Sequence, residues 1–388
     1  MTSSSTSNNN HTVTSSMMMT IFGTSSLPKT LLLSALSFVL SATAAVAFQR
    51  VTSTSRSGSN PSSRCVNASS NSPTVTIIDG TATAAAIKTE LQHEIEFLQR
   101  EYDTVPGLAV ILVGQRVDSA TYVRMKKKTA NEIGIHSVDV DLPEDVSEER
   151  VISEIEILNN DPSVHGILVQ LPLPSHMDEA TVLSKIKYEK DADGFDPLNI
   201  GNLWLRGGDP PLAIPCTPAG CLELLQRYDI DISGKDCVVL GRSNIVGMPV
   251  AALLQSCNGT VTVCHSRTKN IPDIVKRADI VIAAIGKPEF VRGDWLKPGC
   301  VVIDVGINDK PDPTKKRGYR LVGDVNYEEA VSKASAITPV PGGVGPMTIA
   351  MLMKNTVNLC RHSLGLPRMP LRTRNNSDYI NTTTTAAS

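Results

Sequence analysis

Strand patterns alternate with helix patterns along residues 79–362, and this alternation restricts the possible folds more than any other feature. The first series of predicted helices and strands lies at 82–102, 108–113, 120–134, 136–141, 147–159 and 166–171. After a loop-rich interval, a second series of predicted strands lies at 237–240, 261–264, 279–285 and 300–305. Such βαβ succession favours mostly parallel sheets with helices on both faces. The sequence therefore predicts an α/β fold of two domains.

The connection between the two series and the end of the folded region carry their own signals. The interval 191–215 is rich in Gly and Pro. Thr217 and Pro218 then predict an N-cap and a first helical position for a helix that starts near Ala219. The apolar pattern at 347–359 predicts a closing helix that packs back on the first domain.

The first 75 residues differ in composition from the rest. No Asp or Glu precedes Asp79. Residues 31–48 have the apolar run and small-residue close of a secretory signal, and residues 49–73 have the Arg- and Ser-containing, acid-free composition of a transit peptide. This order is similar to the bipartite leader of algae whose plastid lies inside the secretory system, with Phe48 first after cleavage. We expect a plastid leader, with mitochondrial import as the alternative, and no membrane anchor in the mature protein.

Charge, aromatic content and cysteine spacing argue against several classes of function. A net charge of −2 and an aromatic content of 4% provide neither general attraction to nucleic acid nor stacking platforms for it. The eight cysteines form no CxxC pair, so buried free thiols are expected rather than disulfides or zinc ligands. The histidines also lack metal-ligand spacing, and we expect no metal site.

A glycine turn between a strand and a helix start, at 238–249, is the candidate nucleotide site. It lacks the end of a Walker loop and departs from GxGxxG because its second glycine is displaced. Small residues still allow the backbone to approach a pyrophosphate at a helix N-terminus, although the glycines alone fit a plain connection equally well. The candidate cofactor residues in this turn are Gly241, Arg242, Ser243, Ile245, Val246, Gly247 and Pro249.

The end of the following strand indicates which dinucleotide binds. An NAD site usually has an Asp or Glu about 20 residues beyond the glycine turn, where it holds the ribose hydroxyls. Residues 263–268 contain no acid but include Ser266 and Arg267. Together with Arg242, these side chains suit a 2′-phosphate, and the sequence predicts NADP as the cofactor.

Tyr122 and Lys126 mark a second candidate site. They lie four residues apart on the predicted helix 120–134, and therefore on the same face. An aromatic ring beside an amine, just past the carboxyl end of a strand, suits a flat ligand. Taken alone, the consecutive lysines at 126–128 are better explained as a solvated run.

Five separated segments reverse that interpretation, because together they resemble one family. The segments are 122–126 (YVRMK), 169–174 (VQLPLP), 191–195 (DADGF), 241–249 (GRSNIVGMP) and 339–348 (PVPGGVGPMT). In this order they resemble the bifunctional methylenetetrahydrofolate dehydrogenase/cyclohydrolase family, and the resemblance covers residues 78–359. It implies NADP-dependent oxidation of 5,10-methylenetetrahydrofolate to the methenyl compound, followed by hydrolysis to 10-formyltetrahydrofolate.

The resemblance also implies roles for particular residues. Lys126 takes the central role in hydrolysis, and Gln170 is its hydrogen-bonding partner. Tyr122 stacks on the aminobenzoyl ring, and the Asp193 carboxylate grips the amidine edge of the pterin, for which paired acceptors fit paired donors. Without the family, Asp193 fits a simple Asp-Gly turn equally well. Further substrate contacts are implied for Val169, Leu171, Pro341, Gly342 and Gly343, and a cofactor contact for Thr348.

At the level of domains, the resemblance implies a folate-binding α/β catalytic domain and a Rossmann-like NADP-binding domain. The expected segments are a leader at 1–75, the catalytic domain at 76–214 with 345–362, the NADP domain at 215–344 and a disordered tail at 363–388. A homodimer through the second domain is also implied. Two alternatives remain open: a dehydrogenase without hydrolase activity, and a catalytically silent regulator that binds NADP or folate.

Overall fold

A computed structural model describes residues 75–206, 209–315 and 318–369. The predicted leader, except for its last residue, and the tail beyond residue 369 lie outside the described residues. Residues 364–369, which were assigned to a disordered tail, pack against the preceding helix. The Met369 side chain is buried, and its backbone N–H donates to Asn358 Oδ1 at 2.8 Å. The folded region therefore extends further than the sequence suggested.

The described residues form helices and strands in alternation. The strands are β1 (Thr76–Ile77), β2 (Gly107–Val113), β3 (His136–Leu142), β4 (Gly166–Val169), β5 (Asp236–Leu240), β6 (Thr260–Cys264), β7 (Ile280–Ala283), β8 (Val301–Asp304), β9 (Asn308–Pro311), β10 (Tyr319–Val322) and β11 (Ala336–Ile337). The helices are α1 (Gly80–Tyr102), α2 (Val117–Ile133), α3 (Glu148–Asn160), α4 (Glu179–Leu183), α5 (Pro197–Trp204), α6 (Cys216–Arg227), α7 (Gly247–Ser256), α8 (Ile271–Val275), α9 (Tyr327–Ala330) and α10 (Val344–Ser363).

Two parallel sheets organise these elements. The smaller sheet has the order β3-β2-β4, and the larger sheet has the order β1-β11-β8-β7-β5-β6. All pairings within both sheets are parallel, which confirms the predicted α/β fold. Strands β9 and β10 form a separate antiparallel hairpin. The two residues of β1 precede α1 in the chain but belong to the larger sheet, a placement that the sequence did not suggest.

The larger sheet has a point where its strand order reverses. Strand β5 lies between β6 and β7, so the chain builds outward on one side of β5 and then crosses to the other. In such sheets ligands bind in the crevice outside the carboxyl ends of the strands at this reversal. The turns that follow β5 and β7 are therefore the structural border of a dinucleotide site.

Helix α10 closes the fold against α1 of the first predicted domain, as expected, and against α6 of the second. It packs on α1 and α6 and also contacts α2 and β4. Its buried residues lie on nearly every face through most of its length, which explains its continuous apolar pattern. The helix is longer than the predicted span at both ends.

Two predicted local features are wrong. Helix α6 begins at Cys216 with Pro215 as its cap residue, not at Ala219 with Thr217 as the N-cap. Pro218 then falls within the first turn, where its missing N–H has no intrahelical partner to lose. The interval expected to be loop contains α5, for which Asp196 is the N-cap through a 2.8 Å bond from Leu198 N–H.

The cysteines were expected to be buried free thiols, and the mature protein was expected to have no membrane anchor. The described cysteines are all free, and all are buried except for the half-buried Cys257, as predicted; Cys65 lies outside the described residues. Across the same described ranges, none of the helices combines the length and the apolar character that crossing a membrane requires.

Candidate active site

Lys126 and Gln170 meet at the carboxyl edge of the smaller sheet. Strand β4 ends at Val169, and Gln170 follows with its backbone N–H bonded to the Ile111 carbonyl of β2 at 2.9 Å. Lys126 Nζ on α2 donates to Gln170 Oε1 at 2.9 Å. Gln170 Nε2 in turn donates to the Leu171 carbonyl at 2.8 Å. The amide is thus held from both ends, and the hydrogen bond between Lys126 and Gln170 is present as expected.

The three consecutive lysines point in different directions. Lys127 Nζ lies 3.4 Å from carboxylate oxygens of both Asp139 and Asp141 on β3. Lys128 is exposed and lies 3.6 Å from Glu132, one turn along the helix. Only Lys126 of the three bonds to Gln170, so the run is not a uniform solvated face. Tyr122 is 38% exposed, which leaves part of the ring accessible to a flat ligand.

The Asp193 carboxyl has an unusual charge environment. Burial raises its pKa from the ordinary 3.8 to about 6, the Lys126 charge opposes this rise, and the Asp191 charge adds to it. The structure therefore brings Lys126, Gln170 and Asp193 into one neighbourhood. Cys216 Sγ lies 4.0 Å from Asp193 Oδ1. Burial, and then the Asp193 charge, raise the pKa of this thiol well above its usual range, so it faces the carboxylate as a neutral group.

A buried carboxylate holds the loop that carries Asp193. Asp191 accepts from the backbone N–H groups of Gly194 at 3.0 Å and Asp196 at 2.7 Å. It also accepts from Asn199 Nδ2 at 2.9 Å, and Asn199 Oδ1 accepts from Ala213 N–H at 3.1 Å. The sequence interpretation did not assign Asp191 a role, although it stands in the same DADGF segment.

Asn355 fixes the same loop from the closing helix. Its Nδ2 donates to the Ala192 carbonyl at 2.9 Å and to the Ile214 carbonyl at 2.8 Å. Gly194 has φ +74°, and a Cβ there would lie 2.7 Å from the Ile214 carbonyl carbon. The loop is therefore held closely between α10 and the start of α6. The continuous run of buried residues on α10 gives no sequence signal for such a polar contact.

The other predicted substrate residues divide into two groups. Val169 is 1% exposed and belongs to the core of the smaller sheet, so its side chain does not reach the site and only its backbone is available there. Leu171 is half-buried against the same core. Val169 ends the buried strand β4 and Leu171 lies two residues beyond it, so the last apolar side chains continue the core.

The glycine loop at 339–346 packs first against its own chain. Gly342 has φ +103°, and its carbonyl accepts from Thr81 N–H at 3.1 Å. A Cβ at Gly80 would lie 1.8 Å from the Gly343 carbonyl oxygen. This loop therefore packs closely on the start of α1, and the substrate contacts implied for Gly342 and Gly343 stay predictions. Pro341 is exposed at the tip.

The two glycines of the β5–α7 turn also serve close packing. Gly241 has φ +116°, and a Cβ there would lie 2.0 Å from the Ala284 carbonyl oxygen. A Cβ at Gly247 would lie 2.3 Å from the Gly241 carbonyl oxygen. Ser243 Oγ accepts from the N–H groups of Val246 at 3.2 Å and Gly247 at 3.3 Å. The turn is compact, and it places the start of α7 at the reversal point of the sheet.

Around this turn the side chains fit an anionic dinucleotide. Arg242 is exposed, as are Ser266 and Arg267 beyond β6, so both guanidinium groups are accessible to a phosphate. Ile245 is 46% exposed, whereas Pro249 is buried in α7. Thr348 Oγ1 lies 3.0 Å from Thr217 Oγ1, at the meeting of α6 and α10.

Comparison with known proteins agrees with both halves of this arrangement. The model of the tetrahydrofolate dehydrogenase/cyclohydrolase catalytic domain matches residues 78–193. The model of that family's NAD(P)-binding domain matches residues 215–364. The chloroplastic bifunctional protein FolD 4 of Arabidopsis thaliana is 58% identical over 302 residues, which cover 78% of this chain and 84% of the relative. The mitochondrial FolD 1 of the same plant is 54% identical over 285 residues, or 74% and 81%.

Solved structures show the same likeness. The methylenetetrahydrofolate dehydrogenase-cyclohydrolase of Trypanosoma brucei, complexed with NADP and an inhibitor, superposes with a TM-score of 0.72 at 48% identity and covers 75% of this chain and 98% of that one. The bifunctional enzyme of Campylobacter jejuni gives a TM-score of 0.69 at 46% identity, with 74% and 99% covered. This chain therefore belongs to the tetrahydrofolate dehydrogenase/cyclohydrolase family.

Proposed function

We propose that this chain oxidises 5,10-methylenetetrahydrofolate with NADP and then hydrolyses the methenyl product to 10-formyltetrahydrofolate. The observation that carries the proposal is the 2.9 Å bond between Lys126 Nζ and Gln170 Oε1, with the Asp193 carboxyl within electrostatic reach of the amine. An amine, an amide and a carboxylate at one sheet edge supply the polar groups that each step requires. Family membership and the names of the relatives support both activities.

The oxidation step depends mainly on alignment. NADP supplies the chemistry by accepting a hydride, and the protein supplies orientation. Tyr122 stacks on the aminobenzoyl ring. The Asp193 carboxylate accepts hydrogen bonds from the paired N–H donors of the pterin. Lys126 holds the one-carbon unit in line from the side of α2.

The hydrolysis step needs a proton acceptor and a polar group that orients water. The water oxygen bonds to the methenyl carbon, and its proton passes to Lys126 Nζ. The bond from that carbon to N5 then breaks, N5 takes the proton from the Lys126 ammonium, and the remaining hydroxyl proton leaves to solvent as the C=O of the formyl group forms on N10. Since the methenyl substrate is itself a cation, its presence favours release of a proton by a neighbouring ammonium. Gln170 holds Lys126 in place through its own bond to the Leu171 carbonyl.

The decisive assay follows both steps with the purified mature protein. Reduction of NADP in the presence of methylenetetrahydrofolate, followed by decay of the methenyl absorbance, is the expected result. Accumulation of the methenyl compound without decay would instead support a dehydrogenase that lacks hydrolase activity. Absence of both signals, with NADP binding retained, would support the silent regulator.

Arg242→Ala should weaken NADP binding and leave NAD binding nearly unchanged. Arg242 is exposed beside the β5–α7 turn, and no carboxylate occupies residues 263–268. Loss of a hydrogen bond to a charged phosphate costs about 1.5–3 kcal/mol, which is measurable by titration with either dinucleotide. Arg277→Ala is the matched control, because Arg277 is exposed and precedes β7 at the opposite edge of the sheet. Equal losses for both dinucleotides would show that Arg242 does not contact the 2′-phosphate.

We propose the domain division that the family resemblance implied. The separate family models for residues 78–193 and 215–364 support a folate domain followed by an NADP domain. Helix α10 falls within the second model and packs on α6, but it also packs on α1 and contacts α2 and β4 of the predicted folate domain. It therefore serves both halves structurally, which supports its assignment to the folate domain at 345–362.

We also propose a homodimer formed through the second domain. The β9–β10 hairpin pairs with no other strand within the described ranges, so it offers open edges for pairing with a second copy. Large apolar side chains are exposed on and near it: Ile307 at 46%, Leu321 at 36% and Tyr327 at 37%. Light scattering should give the dimer mass, and Leu321→Glu should shift it toward the monomer. An unchanged mass for this variant would contradict a dimer through the hairpin.

Residues 1–75 are proposed to direct the chain to a plastid. The catalytic-domain match starts at residue 78, and the relatives include chloroplastic and mitochondrial proteins. A fusion of residues 1–75 to a fluorescent protein should reach the plastid of an alga with a secretory-type plastid, and deletion of Phe48 should stop it short. Mitochondrial fluorescence would favour the alternative.

A further inference from the structure

The segment at 284–287 borders the cofactor crevice. It follows β7 directly, and β7 pairs with β5 in the larger sheet. The Ala284 carbonyl touches the glycine turn after β5, since a Cβ at Gly241 would lie 2.0 Å from its oxygen. Gly286 has φ +71°, so the segment turns sharply away from the strand. Its position therefore decides one wall of the site where a dinucleotide binds.

One buried carboxylate holds this segment. Asp324 has 0% exposure. Its Oδ2 accepts from the backbone N–H groups of Ile285 at 2.6 Å and Gly286 at 2.9 Å. Its Oδ1 accepts from Lys287 N–H at 2.9 Å and from Asn308 Nδ2 at 2.9 Å. Three successive backbone amides thus donate to one side chain, and these bonds account for the sharp turn of the segment.

A second carboxylate anchors the first to the sheet. Asp304, at the end of β8, accepts from the backbone N–H groups of Asp324 and Val325, each at 2.9 Å. The Asp304 backbone N–H donates to Thr338 Oγ1 at 2.7 Å. The segment after β7 is therefore tied, through Asp324, to the carboxyl end of β8. These bonds fix the segment, which forms one wall of the crevice, relative to the larger sheet.

We propose that Asp324 is a positioning residue for the cofactor: it fixes the segment at 284–287 against the β5–α7 turn in the geometry that binds NADP. The inference rests on the proposed function, because it assumes that the dinucleotide lies at the reversal point of the larger sheet. Asp324 acts through the backbone of this segment and does not itself touch the cofactor. Its partner Asn308 supports it from the β9–β10 hairpin.

The two activities separate a positioning role from a merely structural one. Hydrolysis of the methenyl compound uses Lys126 and Gln170 at the smaller sheet and consumes no NADP. A residue that only supports folding would affect both activities together when it is changed. A residue that shapes the cofactor crevice affects the dehydrogenase alone, and mainly through the KM for NADP.

Asp324→Asn is the main test. An amide has one oxygen where the carboxylate has two, so at least one of the three N–H groups loses its acceptor and the segment shifts. The KM for NADP should rise at least about tenfold, a smaller effect than the loss of about 10² in rate that a 1 Å misplacement can cause. Methenyl hydrolysis, measured without NADP, should stay within about twofold of the parent. Asp294→Asn makes the same change at an exposed residue paired with Arg292 and should alter neither activity.

A second variant covers the case in which Asp324→Asn does not fold. Asn308→Ala removes one donor to Asp324 but leaves all three backbone bonds, so a smaller rise in the KM for NADP is expected with hydrolysis intact. An unchanged KM for NADP in a folded Asp324→Asn protein, or parallel loss of both activities in both variants, would overturn the inference. Failure of the proposed function is distinct from either result, because the parent protein itself would then lack both activities.

Discussion

Lys126→Met is expected to slow hydrolysis of methenyltetrahydrofolate by about 10²–10⁴, the usual effect of losing a general base. Methionine keeps the length and apolar stem of lysine but cannot accept a proton or bond to Gln170 Oε1. Oxidation of methylenetetrahydrofolate should fall less, because hydride transfer needs alignment and not a base. The methenyl intermediate should therefore accumulate, and its absorbance, followed over time, measures this accumulation.

Two further variants define what this result means. Gln170→Ala should weaken hydrolysis in the same direction, because Lys126 loses the partner that holds it 2.9 Å away. Lys128→Met is the matched control, since Lys128 is exposed and pairs with Glu132 on its own helix. Hydrolysis at the parent rate in Lys126→Met would show that another group accepts the proton. Loss of both activities to the same extent would show that Lys126 mainly aligns the substrate.

The fold was largely predictable because it depends on periodicity. Alternating apolar runs and helical patterns located both parallel sheets, and strand limits differ by only a few residues. The errors occur where local signals compete. Thr217 and Pro218 resemble a helix start, yet α6 begins at Cys216. Residues 284–285 continue the apolar run of β7, but the strand ends at Ala283. Ala284 N–H still bonds to the Leu240 carbonyl of β5 at 2.8 Å, whereas the amides from Ile285 onward turn to Asp324.

The sequence suggested the side chains expected to contact the ligands, but not the buried side chains that hold them in place. Tyr122, Lys126, Gln170 and Asp193 stand in distinctive motifs, and their roles were proposed from the resemblance. Buried side chains such as Asp191 and Asn355 have no comparable signal, because their bonds join segments that are far apart in the chain. Asn355 reaches the Ala192 carbonyl across 163 positions. Glycines are ambiguous for the same reason, since Gly241 and Gly343 meet other parts of their own backbone.

Asp193→Asn should weaken folate binding and, at the same time, stabilise the free protein. A hydrogen bond to a charged group contributes about 1.5–3 kcal/mol, so the KM for either folate substrate should rise by about 10–150-fold. The KM for NADP should change little. Glu189→Gln is the matched control, because Glu189 is an exposed carboxylate in the neighbouring turn.

The pH dependence follows from the raised pKa of Asp193. Burial raises this pKa from 3.8 to about 6, so the carboxylate that binds the pterin is lost as the pH falls through about 6. The KM of the parent protein for folate should rise in that range, and the variant should lack this rise. Both effects are measured as initial rates across the pH range, with NADP saturating. A parent profile that stays flat through pH 6 would contradict a charged grip on the pterin.

The Asp193→Asn variant should be more stable than the parent protein, although it binds folate more weakly. The native protein holds the Asp193 proton more tightly than the unfolded chain does, so ionisation costs native stability; the cost is absent below about pH 4 and complete above about pH 6. Removing the charge should therefore stabilise the free protein at about pH 8 by on the order of 1–2 kcal/mol, less than the full shift would give because the side chain is only half-buried and solvent screens its charge. Thermal unfolding at about pH 8 and pH 5 should show this gain shrinking at the lower pH. A variant that loses both folate affinity and stability would show that Asp193 mainly supports the turn. A variant that loses folate affinity but gains stability is expected if the carboxylate serves binding and destabilises the fold.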